Sequence, residues 1–174
     1  MSLTKNAIKN HEELFPGHVS TMPQTDPELV ELFDNFAYDE AIAHDNLDVK
    51  TRVMMILAAT IGCQSLSYYK AMVGAALNVG ITPVEIKEVL YQSVPYAGVA
   101  NTVDFFYATN DVLKSRGIEL PLEDQSTTTQ ETRHDKGLAV QKAIFGDAID
   151  KNYRDSPKDL LHIQRYLSAN CFGD

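Results

Sequence analysis

A handful of side chains between residues 52 and 96 are of types that can do chemistry. Arg52 stands in the first turn of an apolar helix, where a guanidinium can clamp a carboxylate through paired hydrogen bonds. The plainer alternative is an ion pair with Asp48 or another acidic neighbour. Cys63 lies beside Gly62, between two helical stretches. A thiol near a helix N-terminus has a lowered pKa and can serve as nucleophile or redox group; the plainer alternative is a small buried hydrophobe. Tyr68, Tyr69, Tyr91 and Tyr96 fall on consecutive elements, and their phenols can bond an oxygen-rich ligand or act as core and interface aromatics. Gln92 projects near Pro95 and can orient a water or substrate, although a neutral amide is no general base at neutral pH. Met72 reads as an apolar wall, most simply core.

Other reactive types are dispersed. The histidines (His11, His18, His44, His134, His162) form no HxxxH or HExxH pattern, and Cys63 and Cys171 form no CxxC pair or zinc spacing. No metal site and no cofactor is expected. Both cysteines are expected as free thiols in a reducing compartment.

The elements that must carry these groups are helical almost throughout. Asp26-Pro27 predicts a helix start, followed by Leu29, Leu32, Phe33 and Phe36 at helical spacing. Asp48 can cap the next helix, where Val53, Ile56, Leu57, Thr60 and Ile61 line one face. Met54, Met55, Ala58 and Ala59 make the other faces apolar too, which predicts a central helix. Ser65 opens a helix with Tyr69, Met72, Val73 and Ala76 as its buried stripe, and Gly80 stands where a left-handed residue ends it. Thr82-Pro83-Val84-Glu85 is a capping box with proline at the first helical position. Pro95 is expected to kink or end that helix, with Tyr96 to Gly98 as a turn. A further helix carries Val99, Val103, Phe106, Asn110 and Leu113 and closes at Gly117.

Residues 118–130 read as a linker with no sustained period. Two helices are expected beyond it, one from about Glu131 to Phe145 and one opening at Ser156-Pro157. The predicted organisation is a helical domain over 1–117, the linker, and a helical extension over 131–174. No segment alternates as a strand, so the class is all-α.

Composition narrows the functions. Of 174 residues, 44% are hydrophobic, enough for one packed core. The formal net charge of −9 repels phosphate backbones, so no nucleic-acid partner is expected. The N-terminus lacks an apolar signal core, and the run VMMILAA is too short to span a membrane. A cytoplasmic protein with no membrane partner is expected. The apolar excess from Asp48 to Val94 points to a homo-oligomer.

LDVKTR, the GC turn, AALNVGITPVEIKEVLYQ and the following PYAG resemble the carboxymuconolactone decarboxylase family, which includes the alkylhydroperoxidase D-like proteins. The resemblance covers about residues 26–116. It implies an alkylhydroperoxidase D-like all-α helical bundle whose subunits pair into dimers, trimers or hexamers. Its members decarboxylate a muconolactone, or reduce peroxides through a CxxC pair. The departures are as informative. Active members often have TREL in the first helix; here Val53 replaces the Glu. Counting back from Gly80, Met72 stands at the usual histidine. Leu90-Tyr91-Gln92 replaces LLH, and Cys63 has no CxxC partner. The segment from ETRHDKG to the closing IQRYLSANCFGD resembles the opening of a second repeat in two-repeat members, so the chain is expected to stop short of that repeat's catalytic helices.

Two readings follow. In one, a lyase-type pocket for a small carboxylated lactone or related organic acid survives in degenerate form. Its catalytic candidates are Cys63, Gln92 and Tyr96; its substrate-binding candidates are Arg52, Tyr69 and Met72. In the other, the chain is a non-catalytic scaffold or oligomerisation repeat of the same fold. A third, weaker reading is an alkylhydroperoxidase-like antioxidant with peroxiredoxin activity.

Overall fold

The computed structural model describes residues 2–44 and 46–173, and among them every regular element is a helix. The chain divides into two compact units, Met1–Leu122 and Glu123–Asp174.

In the larger unit, α1 (Lys5–Leu14) begins at Thr4, whose hydroxyl accepts from the Ala7 amide. The sequence predicts no helix here, because the buried stripe is only Ala7 and Leu14. Next, α2 (Pro27–Asn35) runs through a wider π-helical turn at Phe36–Glu40 into α3 (Ala41–His44). Asp26 precedes α2, yet its carboxylate accepts from the Thr25 hydroxyl and caps no helical amide.

Four helices build the core: α4 (Val49–Gly62), α5 (Leu66–Asn78), α6 (Pro83–Ala97) and α7 (Val99–Ser115). Their starts follow local chemistry. Asp48 accepts from the Thr51 amide (3.0 Å) and hydroxyl (2.6 Å), and Thr82 with Glu85 forms the full capping box. Gly80 ends α5 at φ +78°, a conformation that Cβ-bearing residues resist. Contrary to expectation, α6 continues through Pro95 to Ala97. Proline this close to the C-terminus removes one ladder bond, and Gly98 (φ +81°) makes the turn into α7 instead.

Each of α4 and α7 packs against both α5 and α6. Leu57 and Ile61 of α4, Tyr69 and Val73 of α5, Ile86 and Leu90 of α6 and Phe105 of α7 fill the centre. The expectation that α4 is enclosed on all sides is overturned. Val53, Leu57, Thr60 and Ile61 face inward, while Ala58 and Ala59 are exposed and Met55 is 57% exposed. One face of α4 is therefore apolar and open.

Among its described residues the smaller unit holds three helices where the sequence predicts two: α8 (Arg133–Phe145), α9 (Ala148–Asp155) and α10 (Leu161–Cys171). α8 and α10 approach closely enough that a Cβ on Gly137 would fall 1.8 Å from the Ser168 carbonyl oxygen. Polar groups fill this crossing. The Ser168 hydroxyl bonds the Gln141 side chain and lies 2.7 Å from the Tyr153 hydroxyl, which also meets His134 Nε2 at 3.2 Å. Asp174, which closes the FGD motif, lies outside the described residues.

Candidate functional site

The open face of α4 and one face of α6 enclose a groove of about 610 Å³. Met54, Met55, Ala58 and Ile61 form one wall, and Val89, Gln92, Ser93, Tyr96 and Ala97 the other. Gln92 and Tyr96 stand one helical turn apart, so the same face of α6 presents both. Tyr96 is 66% exposed. Among the described residues the groove carries one charged lining residue, Glu88, and its wall is almost wholly apolar.

The other candidates lie elsewhere. Tyr69 is fully buried, its ring edge-on to Phe105 with centroids 5.0 Å apart. Its hydroxyl lies 2.7 Å from Thr109 Oγ1, and Thr109 in turn donates to the Phe105 carbonyl oxygen. Tyr69 is thus the donor of the pair. Burial pushes its pKa up to about 12, against the opposing pull of the Thr109 bond. Met72 is also buried in the core. Both were expected as part of the buried stripe of α5 and also as substrate-binding candidates; they lie in that stripe and do not line the groove. Arg52 donates from Nη2 to the Leu47 carbonyl oxygen (2.8 Å) and does not line the groove. Its guanidinium braces the approach to α4, while both Asp48 carboxylate oxygens take up Thr51.

Cys63 is exposed, so its reading as a small buried hydrophobe is corrected. The α4 helix ends there, which leaves the thiol at the surface. Its Sγ donates to the Thr60 carbonyl oxygen over 3.7 Å, and it does not line the groove. Of the six candidates, the structure brings only Gln92 and Tyr96 together. Val53, at the position of the family Glu, is 1% exposed within the core. The groove therefore offers hydrogen-bonding groups and an acid, but no cation for an anionic substrate.

A second cavity in the same unit, about 810 Å³, is bounded by α1, α2, the π-helical turn, α5 and the end of α7. His11, His18, Asp34, Tyr38, Lys70 and Arg116 line it. Sequence reasoning missed them, since they come from four stretches of chain. The one local signal was His11 with Phe15, four residues apart on α1, whose rings lie 5.2 Å apart. Burial raises the pKa of Asp34, and the nearby His11 opposes the shift. Burial likewise raises Tyr38, helped by the charge and hydrogen bond of Tyr68. Among the described residues no group of three or more His, Cys, Asp or Glu is placed to hold a metal ion, and no helix is long and apolar enough to cross a membrane.

Residues 27–111, from α2 almost to the end of α7, match the model of the carboxymuconolactone decarboxylase family. No curated protein and no solved structure matches the chain.

Proposed function

Since residues 27–111 are a carboxymuconolactone decarboxylase family domain, we propose that this chain works as an assembly module of that family, with a second copy seated on the α4–α6 groove. The observation that carries the reading is the character of that groove: apolar, open, and, among the described residues, lined by no cation that could hold an anionic substrate. Glu88 repels an organic acid, Arg52 faces the Leu47 carbonyl, and core side chains occupy the positions of the family Glu and His. Met55 and Tyr96, both in the lining, expose more than half their surface. Apolar surface of this kind is stabilised when a partner removes it from water. A copy of the same chain is the partner proposed, because a two-fold dimer sets the same patch of both subunits against each other.

Decarboxylation or lactone chemistry on an organic acid would need a cation to hold the substrate's carboxylate beside the acid or base; Glu88 is a carboxylate that repels it, and Gln92 and Ser93 are no general bases at neutral pH. Dithiol peroxidase chemistry needs a second thiol within disulfide reach, and Cys63 is the only cysteine of the larger unit. Light scattering at micromolar concentration should give a multiple of 19.3 kDa for the wild type. Met55→Glu combined with Tyr96→Glu should give the single-chain mass. A wild type that stays monomeric, or turnover of a muconolactone-type acid by the purified chain, overturns the assembly reading.

A further inference from the structure

The cavity between α1, α2, α5 and α7 differs in kind from the groove, and its properties do not depend on the assembly reading. It exists because α5 turns Ala71, Gly74 and Ala75 toward it, residues too small to fill the space. Its volume of about 810 Å³ falls within the range of small-molecule sites, roughly 300–1,000 Å³. Aromatic rings form much of the wall. His11 stands edge-on to Tyr38 at 5.1 Å, and Phe33 edge-on to the same ring at 6.3 Å.

Arg116 closes one end. Its Nη1 donates to Asn78 Oδ1 (3.0 Å), while Asn78 Nδ2 donates to the Leu14 carbonyl oxygen (2.8 Å). Asn78 thus ties the guanidinium to the end of α1. Arg116 Nη2 lies 3.6 Å from the point where a Gly74 Cβ would be, so a larger residue at 74 would crowd it. Among the described residues Arg116 has no carboxylate partner. Lys70 and His18 also line the cavity, where the one carboxylate is Asp34, facing His11. In a chain of net charge −9, this wall collects positive and protonatable groups. His11, Phe15, His18 and Arg116 all lie outside the family-matched segment.

We propose that this cavity binds a small carboxylate with a flat apolar body, the carboxylate on Arg116 and the body among Phe15, Phe33 and Tyr38. A preset guanidinium recognises a carboxylate through charge-assisted hydrogen bonds, and the rings provide the apolar faces that a planar molecule needs.

The test uses 2-naphthoate and neutral 2-naphthamide as probes of the full chain, by titration calorimetry. The wild type should bind one naphthoate saturably, and naphthamide about tenfold more weakly or worse. Arg116→Ala should weaken naphthoate by about tenfold or more and leave naphthamide unchanged. Gly74→Leu should abolish binding of both, and thermal melting checks that each variant is folded. The proposal is overturned if the wild type shows no saturable binding below millimolar naphthoate, or if the two probes bind equally. It is also overturned if Arg116→Ala binds naphthoate as the wild type does. Binding that survives Gly74→Leu but disappears in Tyr96→Glu would put the ligand in the α4–α6 groove and overturn it as well.

Discussion

The two units hold themselves together by different means. The larger one closes around aliphatic and aromatic side chains: Leu57, Ile61, Ile86 and Leu90 are essentially inaccessible, and Tyr69 satisfies its single polar atom on Thr109. The smaller one has few buried apolar residues, chiefly Ile149 and Cys171. At its centre lie a chain of polar contacts through His134, Tyr153, Ser168 and Gln141 and a backbone crossing at Gly137. A stretch of this size cannot bury much apolar surface. Close helix approach and fully paired polar groups take the place of a large core, and such networks fail sharply when one member is lost.

The contrast can be broken most forcefully at its two centres. Leu57→Ala should destabilise the larger unit by about 2–5 kcal/mol through the cavity it leaves. In the smaller unit the opposite change, Gly137→Ala, adds a methyl where the Ser168 carbonyl stands and should cost about 1–3 kcal/mol or more. Amide exchange followed separately in α4 and α10 reads each effect. A Gly137→Ala variant with unaltered α10 protection would show that the crossing is not tight.

A matched pair of hydroxyl deletions sharpens the comparison. Tyr153→Phe takes a partner from His134 and Ser168 together and should cost about 1–3 kcal/mol. Tyr69→Phe leaves Thr109 still bonded to the Phe105 carbonyl and should cost about 0.5–1.5 kcal/mol. Equal losses in thermal melts would erase the distinction between the units.

The smallest effect concerns a buried cation of the larger unit. Lys87 is buried, donates from Nζ to Asn110 Oδ1 (2.6 Å) and lies 5.6 Å from the Phe106 ring centroid. Burial lowers its pKa below the ordinary lysine value. The unfolded chain therefore holds that proton more readily, and stability should rise with pH between the lowered folded pKa and the ordinary one. Lys87→Met should remove that rise and change neutral-pH stability by no more than about 1.5 kcal/mol, as denaturant titrations at several pH values would read.

What was legible in the sequence was local. The Thr82–Glu85 box, the Asp48 cap and the turn at Gly80 are each decided within a few residues, and the structure has all of them. Which face of an apolar helix turns inward depends on its neighbours, and composition does not record it. Tyr69 and Met72, read both as a buried stripe and as substrate-binding candidates, lie in the core, whereas Met55, read as enclosed, is open. The α9 helix was hidden because Asp150, Lys151, Asn152, Arg154 and Asp155 leave Ile149 as its sole buried anchor. Of the candidate site, Gln92 was read on a helix and Tyr96 in the turn after it; they share one face because α6 runs on through Pro95 to Ala97. The cavity beyond α5 could not be read from the sequence, because His11, Asp34, Gly74 and Arg116 meet only once the chain has folded.

The α2 helix, which forms one wall of that cavity, contains no fully buried residue, and its ladder widens into the π-helical turn immediately after it. Helices so anchored open at low free energy while the rest of a domain stays closed. The α2 amides should then exchange with solvent well before those of α4 and α5, and a bound carboxylate should slow them. Binding would then stiffen a wall of the cavity as well as fill it, so that part of the affinity is spent on ordering this helix.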